Sequence, residues 1–166
     1  MKKKLGFKAF TLLEMMAAIC IVLILVATIY PALEQVTPRA EKISCINNLK
    51  QLHTSFSATY AVEGWPQVPV GTPLGSIAEQ KWWLDKTKKE LGLSEKNWLC
   101  PTLHRRFRCE KEGERPIIHY LPTPFSKQPN RANQWPQMPW FIEIADAHGC
   151  GNLIIRQNGA VEPSPL

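Results

Sequence analysis

The chain has 166 residues, with 20 Lys and Arg against 14 Asp and Glu. Four of the lysines, Lys2, Lys3, Lys4 and Lys8, precede a long apolar run with no acid among them, and without them the balance falls to 16 against 14. The basic excess is an N-terminal feature, which argues against a nucleic-acid-binding face, and the length allows one membrane segment plus one small core.

The first element in chain order is the apolar run. Residues 15–33 are apolar apart from Thr28 and the hydroxyl of Tyr30. With Phe10, Leu12 and Leu13 they are long enough to cross a bilayer as a helix, which takes about 20 residues. The lysines ahead of the run keep that end cytoplasmic and leave the C-terminal bulk outside. Glu14 lies near the start of the run, where a carboxylate in hydrocarbon costs about 2.5–3.5 kcal/mol on insertion scales. A cleaved secretory signal fits poorly, because Glu14 interrupts the apolar stretch and "TIYPALEQ" lacks a small-x-small cleavage site. A simple uncleaved anchor leaves Glu14 without a partner.

The stretch "KAFTLLEMMAA" resembles the N-terminus of type IV prepilins and type II secretion pseudopilins. In that family a short basic leader is cut just before a phenylalanine, the new N-terminus is methylated, and a glutamate follows four residues later. The resemblance implies cleavage between Ala9 and Phe10 by a prepilin peptidase, N-methylation at Phe10, and an assembly role for Glu14. Pro31 also stands where many family members carry a helix-bending proline. The family usually has glycine before the cut, where this chain has Ala9. The implied fold is α+β: a long N-terminal membrane-spanning helix and a small head with an antiparallel sheet. The implied partners are other pilin-like subunits, the prepilin peptidase, an inner-membrane assembly platform and membrane lipid. The implied place is the inner membrane, single pass, with the head extracytoplasmic. An ion pair between the Phe10 ammonium and a neighbouring subunit's Glu14 would offset much of the cost of burying either charge and would fix their axial register.

Past Pro38 the pattern turns amphipathic. Cys45, Leu49, Leu52, Phe56 and Tyr60 recur at steps of 4, 3, 4 and 4, which is one helical face, with Lys42, Asn47, Lys50 and Gln51 opposite. Gly64 and Trp65-Pro66 stop the helix. The chain thus divides into a basic leader (1–9), a transmembrane and assembly helix (10–35), an amphipathic helix (36–64) and an α+β head (65–166). "CINNLKQL" also resembles a segment common in one bacterial group of pseudopilin-like proteins.

Residues 65–75 form a Pro/Gly loop. "SIAE" reads as a capping box, with Ser76 as N-cap and Glu79 reaching back. A helix follows to about Leu91, with Gly92 closing it and Trp82, Trp83, Leu84 and Leu91 as its buried contacts. "WLCP" (98–101) reads as a short strand, and 101–115 as a charged loop. "IIHYL" (117–121), "WFIEIAD" (140–146), "NLIIR" (152–156) and residues 160–162 read as strands. Asn158-Gly159 reads as a two-residue hairpin turn.

Four cysteines, Cys45, Cys100, Cys109 and Cys150, lie beyond the apolar run, an even number that suits an oxidising compartment. Cys100 and Cys109 flank a short loop and form the disulfide candidate; closing it would contribute up to roughly 3 kcal/mol. Zinc on Cys100, His104, Cys109 and one of His119, His148 or Cys150 is the alternative, but this spacing lacks the usual close cysteine pair. No metal and no cofactor is expected. "RRFR" is followed at once by Glu110, Glu112 and Glu114, which cancel its field. The segment from His148 to Ala160 is similar to a C-terminal pattern of the same bacterial group, a histidine followed ten residues later by Asp-Gly-His-Val. His148 and Gly159 fit that pattern, whereas Asn158 and Ala160 depart from it.

No Gly-rich phosphate loop, HExxH or GxSxG occurs, and no enzymatic activity is expected. Two functions remain in view. One is a pilin-like subunit of a type II secretion pseudopilus or type IV pilus-like fibre. The other is a membrane-anchored extracytoplasmic module that does not polymerise and captures a ligand through Trp65, Trp135 and Trp140.

Overall fold

A computed structural model describes residues 11–110, 115–125 and 132–164. The chain splits into two compact units, residues 1–37 and 38–166. The expected cleavage and methylation site, Ala9 and Phe10, lies outside the described residues.

Helix α1 spans Leu12–Glu63 and contributes to both units. Pro31 and Pro38 lie inside it and do not end it. In the first unit, Leu12–Pro31 is long and apolar enough to cross a membrane, and none of it is buried by the protein. The hydroxyls of Thr28 and Thr37 donate back to main-chain carbonyls one turn earlier, so neither leaves a bare polar group on this surface.

The second unit is an α+β head. Its part of α1 buries the predicted stripe: Cys45, Leu49, Leu52, Phe56 and Tyr60 are all buried, while Asn47, Lys50 and Gln51 face out. Helix α2 (Ile77–Leu91) begins and ends where the capping residues place it. The Glu79 N–H donates to the Ser76 hydroxyl, and Gly92 takes the left-handed conformation at the far end. One detail of the capping box differs. The Glu79 carboxylate reaches back one residue further, to the Gly75 N–H, and also accepts from the Trp83 indole. Of the apolar side chains expected inward on α2, Trp83 is fully buried, and Trp82, Leu84 and Leu91 pack part-buried against the core.

Of the segment read as a strand and charged loop, residues 101–109 are helical instead. A 3-10 turn at Glu95–Trp98 leads into helix α3 (Pro101–Arg106), with Cys100 as its N-cap, and a second 3-10 turn covers Phe107–Cys109. Pro101 starts this helix rather than stopping a strand, since proline suits the first helical turn, where its missing N–H is not needed.

Four short strands form one antiparallel sheet in sequential order: β1 (Tyr120–Pro122), β2 (Phe141–Glu143), β3 (Leu153–Ile155) and β4 (Val161–Pro163). β2 and β3 lie inside the predicted runs, and β1 and β4 each overstep theirs by one residue at the C-terminal end; the first three runs are shortened to three residues, and the fourth keeps that length. The turn after β3 differs from the expected two-residue hairpin. Ile155 pairs with Val161 and the Arg156 N–H reaches the Ala160 carbonyl, so Gln157, Asn158 and Gly159 make the loop. A two-residue turn of either primed type needs positive φ at its first residue, Asn158. Only glycines take positive φ among the described residues, and Gly159 does so at 74°.

The core lies where α1, α2 and the sheet meet. Phe56 sits at its centre, with ring centroids of Phe141 at 4.9 Å, Tyr60 and Trp65 at 5.2 Å, Trp83 at 6.0 Å and Trp98 at 6.1 Å. Such tilted and edge-to-face pairs add to area burial. Trp65 and Trp140 belong to this core and are buried, so two of the three tryptophans considered for ligand capture are packed inside; Trp135 is half-buried.

Candidate functional site

Among the described residues, two places concentrate polar chemistry where apolar surroundings make it costly. The first is the start of α1. Glu14 accepts from the Thr11 N–H and from the Thr11 hydroxyl, both at 2.9 Å, and its own N–H donates back to that hydroxyl at 3.3 Å. This reciprocal pattern caps the helix. Around it Leu12, Leu13, Met15, Met16 and Ile19 are exposed.

The second place is inside the head, and sequence reasoning assembled only part of it. Four side chains from four segments converge: Cys45 on α1, Cys100 at the start of α3, Glu143 at the end of β2, and His148 in the loop between β2 and β3. One ligand-type atom from each lies within 4.8 Å of all the others. Cys45, Cys100 and Glu143 are fully buried, and the His148 side chain is nearly so. The helical stripe points Cys45 inward. Pairing of Phe141–Glu143 with β1 and β3 alternates Ile142 outward and turns Phe141 and Glu143 to the core. His148 is held by Asp146, whose Oδ1 accepts from the N–H groups of His148, Gly149 and Cys150 at 3.1, 2.7 and 3.3 Å.

The geometry inside the cluster is close but incomplete. His148 Nε2 lies 3.7 Å from Cys100 Sγ and 3.8 Å from Glu143 Oε1. Glu143 Oε2 accepts from the Leu153 N–H at 3.3 Å, while Oε1 is buried with no hydrogen-bond partner. The separation from His148 is too long for a hydrogen bond. It does not behave as an ion pair either. Burial, reinforced by the Cys100 sulfur, pushes the Glu143 carboxyl up to about 9. Burial, followed by the charge of Lys42, holds His148 below its ordinary value. Near neutral pH both groups are therefore uncharged. The two thiols interact directly: the contact with Cys100 favours the Cys45 thiolate, and Cys100 rises in consequence. Tyr120 completes the wall, donating from its hydroxyl to the Cys45 carbonyl at 3.4 Å.

The expected disulfide partners are not brought together. All five cysteines are free thiols, with Cys100 buried in the cluster and Cys109 exposed at the end of its 3-10 turn. The cause is the helix at 101–106 and the 3-10 turn after it, which carry Cys109 away where a charged loop was expected. His104, from the zinc alternative, is exposed. His119 is buried beside the cluster rather than in it; its Nδ1 accepts from the Cys100 N–H at 3.1 Å, and burial lowers it to about 4. Cys150 is exposed and accepts from Lys42.

The described residues thus define an α+β head joined to one helix long and apolar enough to cross a membrane. No family model, curated protein or solved structure matches the chain.

Proposed function

We propose that this chain is a pilin-like structural subunit. A prepilin peptidase removes residues 1–9, Phe10 is methylated, and the inner-membrane subunit polymerises through its N-terminal helix into a type II secretion pseudopilus or a type IV pilus-like fibre. The observation that carries this reading is the setting of Glu14. It sits in the first turn of a helix whose apolar residues from Leu12 to Pro31 are exposed on every side, and its hydrogen bonds among the described residues are with Thr11. An exposed apolar surface of this extent calls for lipid or protein around it, and an acid within it calls for a cation. The amine created at Phe10 by cleavage, on this subunit or its neighbour, supplies that cation.

The test is Glu14→Leu at equal membrane levels. A simple anchor loses nothing, because deleting the acid makes the segment more apolar. A pilin-like subunit keeps synthesis, insertion and cleavage but loses cross-linking to neighbouring subunits and incorporation into the fibre. Unchanged assembly in the variant removes the main support for the reading. The non-polymerising ligand-binding module gains nothing from Trp65 and Trp140, which pack in the core.

A further inference from the structure

We infer that Cys45, Cys100, Glu143 and His148 form a structural zinc site that pins the sheet of the head to its long helix. The ligand set is two thiols, an imidazole and a carboxylate, all of them groups that zinc takes, and four protein ligands close its tetrahedral shell. With metal–sulfur bonds of about 2.3 Å and metal–nitrogen or –oxygen bonds of about 2.0–2.2 Å, the edges of such a tetrahedron are about 3.3–3.8 Å. His148 Nε2 lies 3.7 Å from Cys100 Sγ, where the nitrogen–sulfur edge is about 3.5–3.6 Å, and 3.8 Å from Glu143 Oε1, where the nitrogen–oxygen edge is about 3.3–3.5 Å. Contraction by a few tenths of an ångström brings His148, Cys100 and Glu143 to bonding separations, and Cys45 Sγ lies within 4.8 Å of each of them.

A second observation points to the ligand independently of the clustering. Glu143 Oε1 is fully buried, aimed at the cluster and without a hydrogen-bond partner, while Oε2 is anchored by the Leu153 N–H. A buried carboxyl oxygen left bare is costly. A cation at the centre of the four groups satisfies it, together with both sulfurs and the ring nitrogen. The competing chemistry, a disulfide between Cys45 and Cys100, satisfies the sulfurs and leaves Glu143 Oε1 as it was. The surroundings are built as an outer support: Asp146 fixes the His148 loop through three N–H groups, and the Tyr120 hydroxyl holds the Cys45 carbonyl. On binding, the two thiols and the Glu143 carboxyl give up their protons to solvent and bind as thiolates and a carboxylate, while His148 binds as the neutral imidazole.

Zinc in this position links α1, the start of α3, the end of β2 and the loop after it. With no open position for substrate, its role is to stabilise the fold. The inference concerns the head alone and stands apart from the assembly reading.

The test is metal content and cobalt substitution on the full-length chain, extracted in mild detergent under reducing conditions. Wild type should hold close to one zinc per chain. Cobalt exchanged into it should show the ligand-field and sulfur charge-transfer bands of a tetrahedral thiolate site. His148→Ala, in a loop where loss of the fold is not expected, should weaken zinc about tenfold or more, and Glu143→Gln similarly. Exposed Cys109→Ser should retain the metal. Folded, reduced wild type with no stoichiometric zinc, zinc that survives both ligand substitutions, or a Cys45–Cys100 disulfide trapped by alkylation at lysis would each overturn the inference.

Discussion

Truncating Phe56 tests the packing of the head at its centre. The side chain is fully buried, and five aromatic rings stand around it at centroid distances of 4.9–6.1 Å. Removing a buried phenylalanine ring costs about 3–5 kcal/mol, with the larger values where the surroundings cannot collapse. Here the wall is made of Trp65, Trp83, Trp98 and Phe141, large flat groups from four different segments, none of which can move in without opening a gap behind it. Phe56→Ala should therefore cost about 4–5 kcal/mol, a third or more of the roughly 5–15 kcal/mol by which a domain is usually stable. Phe56→Leu, which fills much of the space, should lose well under half of that. Ile43→Ala, on the same helix but exposed, should change stability by less than about 0.5 kcal/mol. Urea unfolding of the full chain in nonionic detergent, followed by tryptophan fluorescence, reads all three, because the reporting indoles line the perturbed space. A loss below about 1.5 kcal/mol for Phe56→Ala, with an unchanged denaturant slope, would refute a rigid aromatic core centred on this residue.

Two further outcomes follow from a buried and a half-buried polar group. Gln80 Oε1 accepts from the N–H groups of Ile117 and Ile118 at 2.8 and 3.2 Å, and its amide donates to the Gly75 carbonyl at 3.0 Å. Gln80→Leu strands two main-chain donors and should cost about 2–4 kcal/mol in the same unfolding assay. The half-buried His53 ring packs on Trp140, tilted at 39° with centroids 4.7 Å apart, and bonds the Gln157 carbonyl through Nε2; partial burial lowers its pKa from 6.5. The unfolded chain then takes up a proton at this residue before the folded one does, so its contribution to stability is present above pH 6.5 and is lost as pH falls towards the lowered folded value. The stability difference between wild type and His53→Gln should shrink as pH is lowered from 7.5 to 5, and a difference independent of pH contradicts the half-buried neutral imidazole.

The long helix and its buried face were legible because both rest on periodicity: one apolar run, then Cys45, Leu49, Leu52, Phe56 and Tyr60 at helical steps. The cap of α2 was legible because Ser76 and Gly92 act locally. The 98–109 segment was misread because Pro101 was taken as a strand stop, when its missing N–H costs nothing in a first helical turn. The buried cluster was half visible. Cys100 and His148 were weighed as ligands, but Cys45 was absorbed into the apolar stripe and Glu143 into a strand. One signal was present. In "WFIEIAD", strand alternation puts Glu143 on the same side as Phe141, and a carboxyl on a core-facing strand position needs a partner. That partner comes from 43 to 98 residues away along the chain for the two sulfurs, a separation no local pattern encodes.

The assembly account depends first on the chain being processed, so the most direct measurement is the mass of the mature N-terminus. Protein extracted from membranes of cells with an active prepilin peptidase should begin at Phe10, lack residues 1–9 and carry one added methyl group on its amine. Ala9→Gly should be processed at least as fast. An intact Met1 under those conditions, or cleavage beyond the apolar run, would contradict the account.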